Sequence, residues 1–210
     1  MQWFHRTIEL LTKHFDNVRL RAPITEDEII GLQFQRSTAA EELKYFYTQT
    51  NGLAVGLHDS VVGLIFEFEE SQKLLSLISH RDGAYQLLPV RGDGCGDYDC
   101  LVIGGGIAEG AVVFYDHEVN EAPSHLLAGS FASYFQLWAD YLTTKYQANG
   151  EIDQRYVAPK LEAWPWLGEP QRRHPWPFDE AWLKVNDEKA AILLEDAATR
   201  SWLNRQNDLT

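Results

Sequence analysis

Cysteine and methionine are scarce in this 210-residue chain: there are two of the first, Cys95 and Cys100, and one of the second. Two cysteines so close together build no disulfide framework, so a reducing compartment fits them and a cytoplasmic location is expected. Basic residues are also in deficit, with 18 Lys and Arg against 31 Asp and Glu, a net charge of -13. A chain with that balance repels phosphate, which argues against nucleic-acid binding and against adhesion to anionic membranes. No apolar run approaches the roughly 20 residues that span a bilayer. Met1 to Phe15 is broken by His5, Arg6, Glu9, Lys13 and His14, and the stretch lacks the apolar centre of a secretory signal. Internal repeats and low-complexity tracts are missing too, which excludes solenoids and arrays.

What is present is the composition of a folding chain. Hydrophobic residues make up 45%, aromatics 12% and charged residues 23%, enough apolar surface to offset the entropy of ordering. The length suits one large domain, or one domain with a substantial extension. Acidity is uneven: residues 151–210 hold 8 basic and 11 acidic side chains, net -3, which leaves net -10 in residues 1–150. The negative field belongs to the first part and would attract basic partners.

Trp3, Phe4, Ile8, Leu11 and Phe15 recur at three- and four-residue steps and predict an amphipathic helix. Thr25 and Glu28 have capping-box spacing before Ile29, Ile30 and Leu32, and Thr38 and Glu41 repeat it before Leu43, Phe46 and Tyr47. Asn51-Gly52 supplies residues that tolerate positive φ where that helix should stop. The run from Val61 to Phe68 is β-branched and aromatic, which predicts a strand. Leu74, Leu75 and Ile78 return to helical spacing over 69–79. Tyr85 to Val90, Tyr98 to Ile103 and Ala111 to Tyr115 read as strands joined by the glycine turns at 91–97 and 104–106. Ser130 opens a long helix with Phe131, Tyr134, Phe135, Trp138 and Leu142 on one stripe, ending near Asn149-Gly150.

From Glu151 the composition shifts. Pro159, Pro165, Pro170, Pro175 and Pro177 interrupt the chain, and five of the seven tryptophans lie here: Trp164, Trp166, Trp176, Trp182 and Trp202. Such a segment is no continuous helix before about Asp179. Short elements are expected over 178–194 and a final helix over 195–204. Large aromatics usually bury, so 151–210 is expected to pack on the preceding domain, with an exposed docking surface as the other reading.

Several of these pieces together resemble the SUKH superfamily, the group of the yeast cell-wall synthesis regulator and of many bacterial toxin-immunity proteins. The resemblance rests on the helix starting at Ile24-Thr25-Glu26-Asp27-Glu28-Ile29 and on the helix ending in Phe46-Tyr47-Thr48-Gln49-Thr50-Asn51-Gly52. It continues through Gly96-Asp97-Tyr98-Asp99-Cys100-Leu101, Val112-Val113-Phe114-Tyr115-Asp116-His117-Glu118, and Ser130-Phe131-Ala132-Ser133-Tyr134-Phe135. It covers about residues 22–146. Where a Leu-Pro often precedes the family's second helix, Arg36-Ser37-Thr38 stands instead. The resemblance implies an α+β fold with a mixed, largely antiparallel central sheet flanked by helices, in a domain spanning 1–150. It also implies a binding role: neutralising a cognate polymorphic toxin, often a nuclease, or a regulatory protein contact of the cell-wall branch. Fold alone does not fix function.

Candidate sites divide accordingly. Cys95 and Cys100 with Asp97, Asp99 and His117 offer zinc-ligand types, but a Cys-x4-Cys without a second pair is no structural zinc pattern. Asp93, Asp97 and Asp99 do not fit a calcium loop. No Gly-x-Ser-x-Gly occurs, and the glycines at 104–106 and 110 lack a P-loop lysine. No cofactor, metal or catalytic centre is therefore expected, and a small hydrolase is the distant alternative. The remaining set is Asp93, Asp97, Asp99, Asp116 and Glu118 at the ends of neighbouring strands, with Tyr98 and Tyr115 beside them. One reading is a solvated rim of turn-capping residues; the other is a partner-binding patch that steers a basic protein, in particular a toxin domain.

Overall fold

The computed structural model describes residues 2–30, 38–56, 61–78, 86–92, 94, 96–104, 106, 108–116, 123–155 and 180–203. Helix α1, Gln2–His14, buries Phe4 and Leu11 of the predicted stripe together with Thr7, while Trp3 and Ile8 are half-buried. Strand β1, Val18–Leu20, follows, and then α2, Glu26–Ile30. The expected capping box closes α2: the Thr25 N–H donates to Glu28 Oε2 at 2.7 Å and the Glu28 N–H returns to Thr25 Oγ1 at 3.3 Å. The next helix starts later than expected. A 3₁₀ turn at Thr38–Ala40 leads into α3, Glu41–Gln49, whose N-cap is Ala40 with no side-chain bond. The tighter turn carries the chain into the helix and moves its N-cap from the expected Thr38 to Ala40.

Strands β2, Leu53–Gly56, and β3, Val61–Ile65, pair antiparallel with each other, and β2 pairs with β1, giving a three-stranded sheet ordered β1-β2-β3. β3 stops before the expected Phe68 because Asn51 intervenes: its Oδ1 accepts the Phe68 N–H at 2.8 Å and so starts α4, Phe68–Ile78. An asparagine expected at one helix's end serves the start of another.

The second sheet is a meander of four antiparallel strands: β4, Gln86–Gly92; β5, Tyr98–Gly104; β6, Val112–Tyr115; and β7, His125–Ala128. The Phe66 N–H donates to the Val90 carbonyl at 2.9 Å and ties the two sheets together. The α+β class read from the sequence is what the chain adopts; every strand pair among the described residues is antiparallel. Helix α5, Phe131–Lys145, begins where expected, with Ser130 Oγ accepting the Ser133 N–H at 3.2 Å. The chain then makes α6, Glu180–Asn186, α7, Glu188–Glu195, and α8, Ala197–Leu203.

β5 is covered on both faces, since alternate side chains of a strand point to opposite sides. Leu101 and Ile103 join the core formed with α1, α3 and α5. Cys100 and Val102 join a second core with Val113, Leu126 and, from the C-terminal helices, Leu183, Ala190, Leu194 and Trp202.

Candidate functional site

The site forms where β3, β4 and β5 converge. Pro89 has no N–H to give the β4–β5 ladder, and the register slips between Pro89 and Arg91. That slip sets Arg91 directly across from Asp99. Arg91 Nη1 donates to Asp99 Oδ2 at 2.8 Å, and the Tyr134 hydroxyl of α5 donates to the same oxygen at 2.6 Å. Asp99 is 1% exposed, whereas the Arg91 side chain keeps 22%.

This node corrects the expectation that Asp99 belongs to a solvated rim. Asp99 has the parity of Leu101 and Ile103 and so faces α5, where burial requires a partner for its charge. Burial pushes the Tyr134 phenol well above its ordinary pKa, and the neighbouring Asp99 adds to the effect. The Cys100 thiol is raised well above its usual range by burial first and Asp99 second, so at neutral pH it is a packed thiol rather than a nucleophile. Arg91 is held charged: burial pulls its pKa down, and Asp99 more than restores it.

The other expected rim residues separate. Asp116 is buried, at 7% exposure, because β6 ends against the core rather than in solvent. Asp97, Tyr98 and Tyr115 are half-buried, and Tyr98 and Tyr115 face each other across the β5–β6 pair. Asp97, Tyr115 and Asp116 each make further contacts within the chain. Asp93, Cys95, His117 and Glu118 lie outside the described residues, as do Trp164, Trp166 and Trp176. Among the described residues no group of three or more His, Cys, Asp or Glu side chains is placed to hold a metal ion, and no helix is long and apolar enough to cross a membrane.

Above the node runs a groove of about 510 Å³, lined among others by Val62, Leu64, Phe66, Glu70, Arg91 and Tyr98. The Phe66 and Tyr98 rings stand 6.4 Å apart at a tilt of 58°. Gly92 makes that approach feasible: a Cβ there would meet Phe66 Cζ at 2.9 Å and the Tyr98 ring at 3.1 Å. The arrangement offers an arginine fixed from below, two aromatic edges, an apolar wall and an exposed carboxylate. A second groove of about 590 Å³ lies between α3 and α7. There Glu41 is ion-paired with Lys44 at 2.8 Å, and Glu42 accepts the Ala132 N–H at 2.7 Å at the start of α5.

Sequence reasoning placed Tyr98 in the site but missed Arg91, Tyr134, Phe66 and Glu70. The available signal was Asp99 itself, a lone charge opening the apolar run Cys100-Leu101-Val102-Ile103. An unbroken apolar run marks a strand covered on both faces, and a charge in such a strand demands a partner. Compared with protein-family models, with curated proteins and with solved structures, the chain matches none.

Proposed function

We propose that the chain is a cytoplasmic, non-enzymatic protein-binding module of SUKH type that acts as an immunity protein, neutralising a cognate toxin domain with a basic surface. The observation that carries the reading is the groove over the Arg91–Asp99 pair. Its ionisable floor is committed to the fold, while Phe66, Tyr98 and Glu70 line the opening. Aromatic side chains beside a rigid arginine are the residue types that dominate protein interfaces. A net charge of -13 favours a basic partner, and a nuclease toxin carries basic surface because it must hold phosphate. The test is purification of the intact chain from its native cell, with mass spectrometry of what co-purifies and a titration of that partner's activity. The expected result is a stoichiometric partner with a basic toxin domain, silenced at a one-to-one ratio. A chain that purifies alone and turns over a hydrolase substrate would overturn the reading.

A further inference from the structure

We infer that the open edge of β3 accepts an extended, lysine- or arginine-bearing segment of a protein partner, which adds a strand in the groove beside Arg91 and Tyr98. The inference rests on the protein-binding reading above and names how that binding is made.

The first ground is the character of the edge. A sheet's outer strand presents unpaired main-chain N–H and C=O groups, and proteins blunt such strands with charges, prolines or bulges. The three-stranded sheet has two outer strands, β1 and β3. β1 carries Arg19, which is exposed. β3 reads Val61-Val62-Gly63-Leu64-Ile65, with neither charge nor proline, and Val61 and Leu64 are 51% and 36% exposed. Its backbone is held in place for pairing, because Gly63 lies flush on α5: a Cβ there would sit 2.5 Å from Leu142 and 2.7 Å from Trp138. Across the groove, the Val90 carbonyl of the facing strand β4 is taken by the Phe66 N–H. Among the described residues β3 pairs with β2 alone, so it is the acceptor edge.

The second ground is charge. Arg91 is compensated by Asp99 beneath it. Glu70 is exposed, lines the same groove, and has no hydrogen-bond or ion-pair partner among the described residues. Among the described residues the groove's uncompensated charge is therefore negative, and the complementary occupant carries a cation opposite Glu70. A strand added at an edge gets its affinity from main-chain hydrogen bonds and its selectivity from alternate side chains. Here those alternate contacts are the apolar wall at Val62 and Leu64 and the Glu70 carboxylate.

The test uses the full chain, ¹⁵N-labelled, titrated with the capped peptide Thr-Val-Lys-Val-Thr. Expected are saturable shifts of the Val61–Leu64 and Arg91–Gly92 amides, together with slowed hydrogen exchange along β3. Glu70→Gln, an exposed change that spares the fold, should weaken binding about twofold to fivefold, the range of a surface charge pair. The same peptide N-methylated at alternate residues keeps every side chain and should lose the shifts. No saturable shift at millimolar peptide, equal binding of the N-methylated peptide, or shifts scattered over the acidic surface would each overturn the inference. A native partner whose affinity is unchanged by Glu70→Gln and by Leu64→Lys would overturn it while leaving the protein-binding reading intact. Peptide binding at β3 in a chain that captures no native partner would do the reverse.

Discussion

The two faces of the four-stranded sheet are covered by different means. On one face α1, α3 and α5 bring large rings together. Phe46 and Phe135 lie 5.3 Å apart, Phe135 and Trp138 stack at 5.8 Å, and Phe4, Phe131 and Tyr134 complete the layer. Inside it sits the Arg91–Asp99–Tyr134 node. On the other face the sheet presents Cys100, Val102, Ala111, Val113 and Leu126, small or aliphatic side chains, to three helices of seven, eight and seven residues. Helices that short are marginal alone, so they depend on the sheet far more than the sheet depends on them. A polar clamp helps to fix them: Asp187 caps α7 through the Ala190 N–H at 3.0 Å and accepts the buried Gly129 N–H at 2.8 Å. The backbones meet closely there, since a Cβ on Gly129 would fall 2.4 Å from Lys189 Cβ. One face is thus bound by bulk and a buried charge, the other by aliphatic packing and a polar contact.

The sharpest way to break this contrast is at the buried charge. Asp99→Ala leaves Arg91 with an uncompensated charge and should lower global stability by about 3–5 kcal/mol, read as a shift of the urea midpoint at pH 7. The paired change Arg91→Met with Asp99→Leu removes both charges and should recover most of that loss. A double variant as unstable as the single one would show that the pair does more than neutralise itself.

Acid should act next, through His125. Its ring stacks on Phe114 with centroids 5.0 Å apart, and burial pushes its pKa down to about 4 from an ordinary value near 6.5. Between those values the unfolded chain binds a proton that the folded chain refuses. Stability from this group is complete above pH 6.5 and is lost as pH falls towards 4, by up to about 3 kcal/mol. Unfolding followed across pH 4–7 should show that slope, and His125→Phe, which keeps the stack and removes the titration, should flatten it.

The polar clamp comes third. Asp187→Ala strips the buried Gly129 N–H of its acceptor and removes the α7 cap, a change of about 1–3 kcal/mol. The contrast between the faces says where the loss appears. Amides of α6–α8 should exchange faster while those of α5 and β5 stay protected, so uniform acceleration throughout the chain would contradict it.

Much of the first face was legible because its determinants are local. The ring stripe of α5, its Ser130 cap and the Thr25–Glu28 box each lie within a few residues of the element they specify. The strands β1, β2 and β7 were not legible: they are three or four residues long and carry no alternation long enough to count. Thr38 misled because a capping sequence says nothing about whether a 3₁₀ turn precedes the helix. Asp99 misled for another reason. Its partners Arg91 and Tyr134 are 8 and 35 residues away along the chain, so its burial is a product of tertiary packing, and by composition alone it reads as another turn aspartate. Two of the acidic residues expected in solvent, Asp99 and Asp116, are thereby interior, and the exposed negative charge in the groove that Tyr98 lines falls to Glu70, which helical spacing had assigned only to α4.

The smallest expected effect separates the faces by using the same device on each. Ser130 caps α5 through the Ser133 N–H, and Asp196 caps α8 by accepting the Thr199 N–H at 2.6 Å. The contact holds the Asp196 carboxyl below its ordinary pKa, chiefly through that backbone bond. Removing either acceptor leaves one amide of a first turn without its side-chain partner, so the local chemistry is alike. The consequences should differ. α5 is the floor of the aromatic core, with Phe131, Tyr134, Phe135 and Trp138 all buried, and it cannot fray without opening that core. Ser130→Ala should therefore lower global stability by about 1 kcal/mol and shift the whole urea transition. α8 is the last described helix, and it opens by detaching Trp202 and Leu203 from the second face, an event the first face does not feel. Asp196→Ala should leave the urea midpoint nearly unchanged while raising hydrogen exchange in 197–203. Its effect should also fade in acid, because the wild-type carboxylate loses its acceptor role once protonated. Equal shifts of the global midpoint by the two variants would mean that the two faces unfold as one cooperative unit.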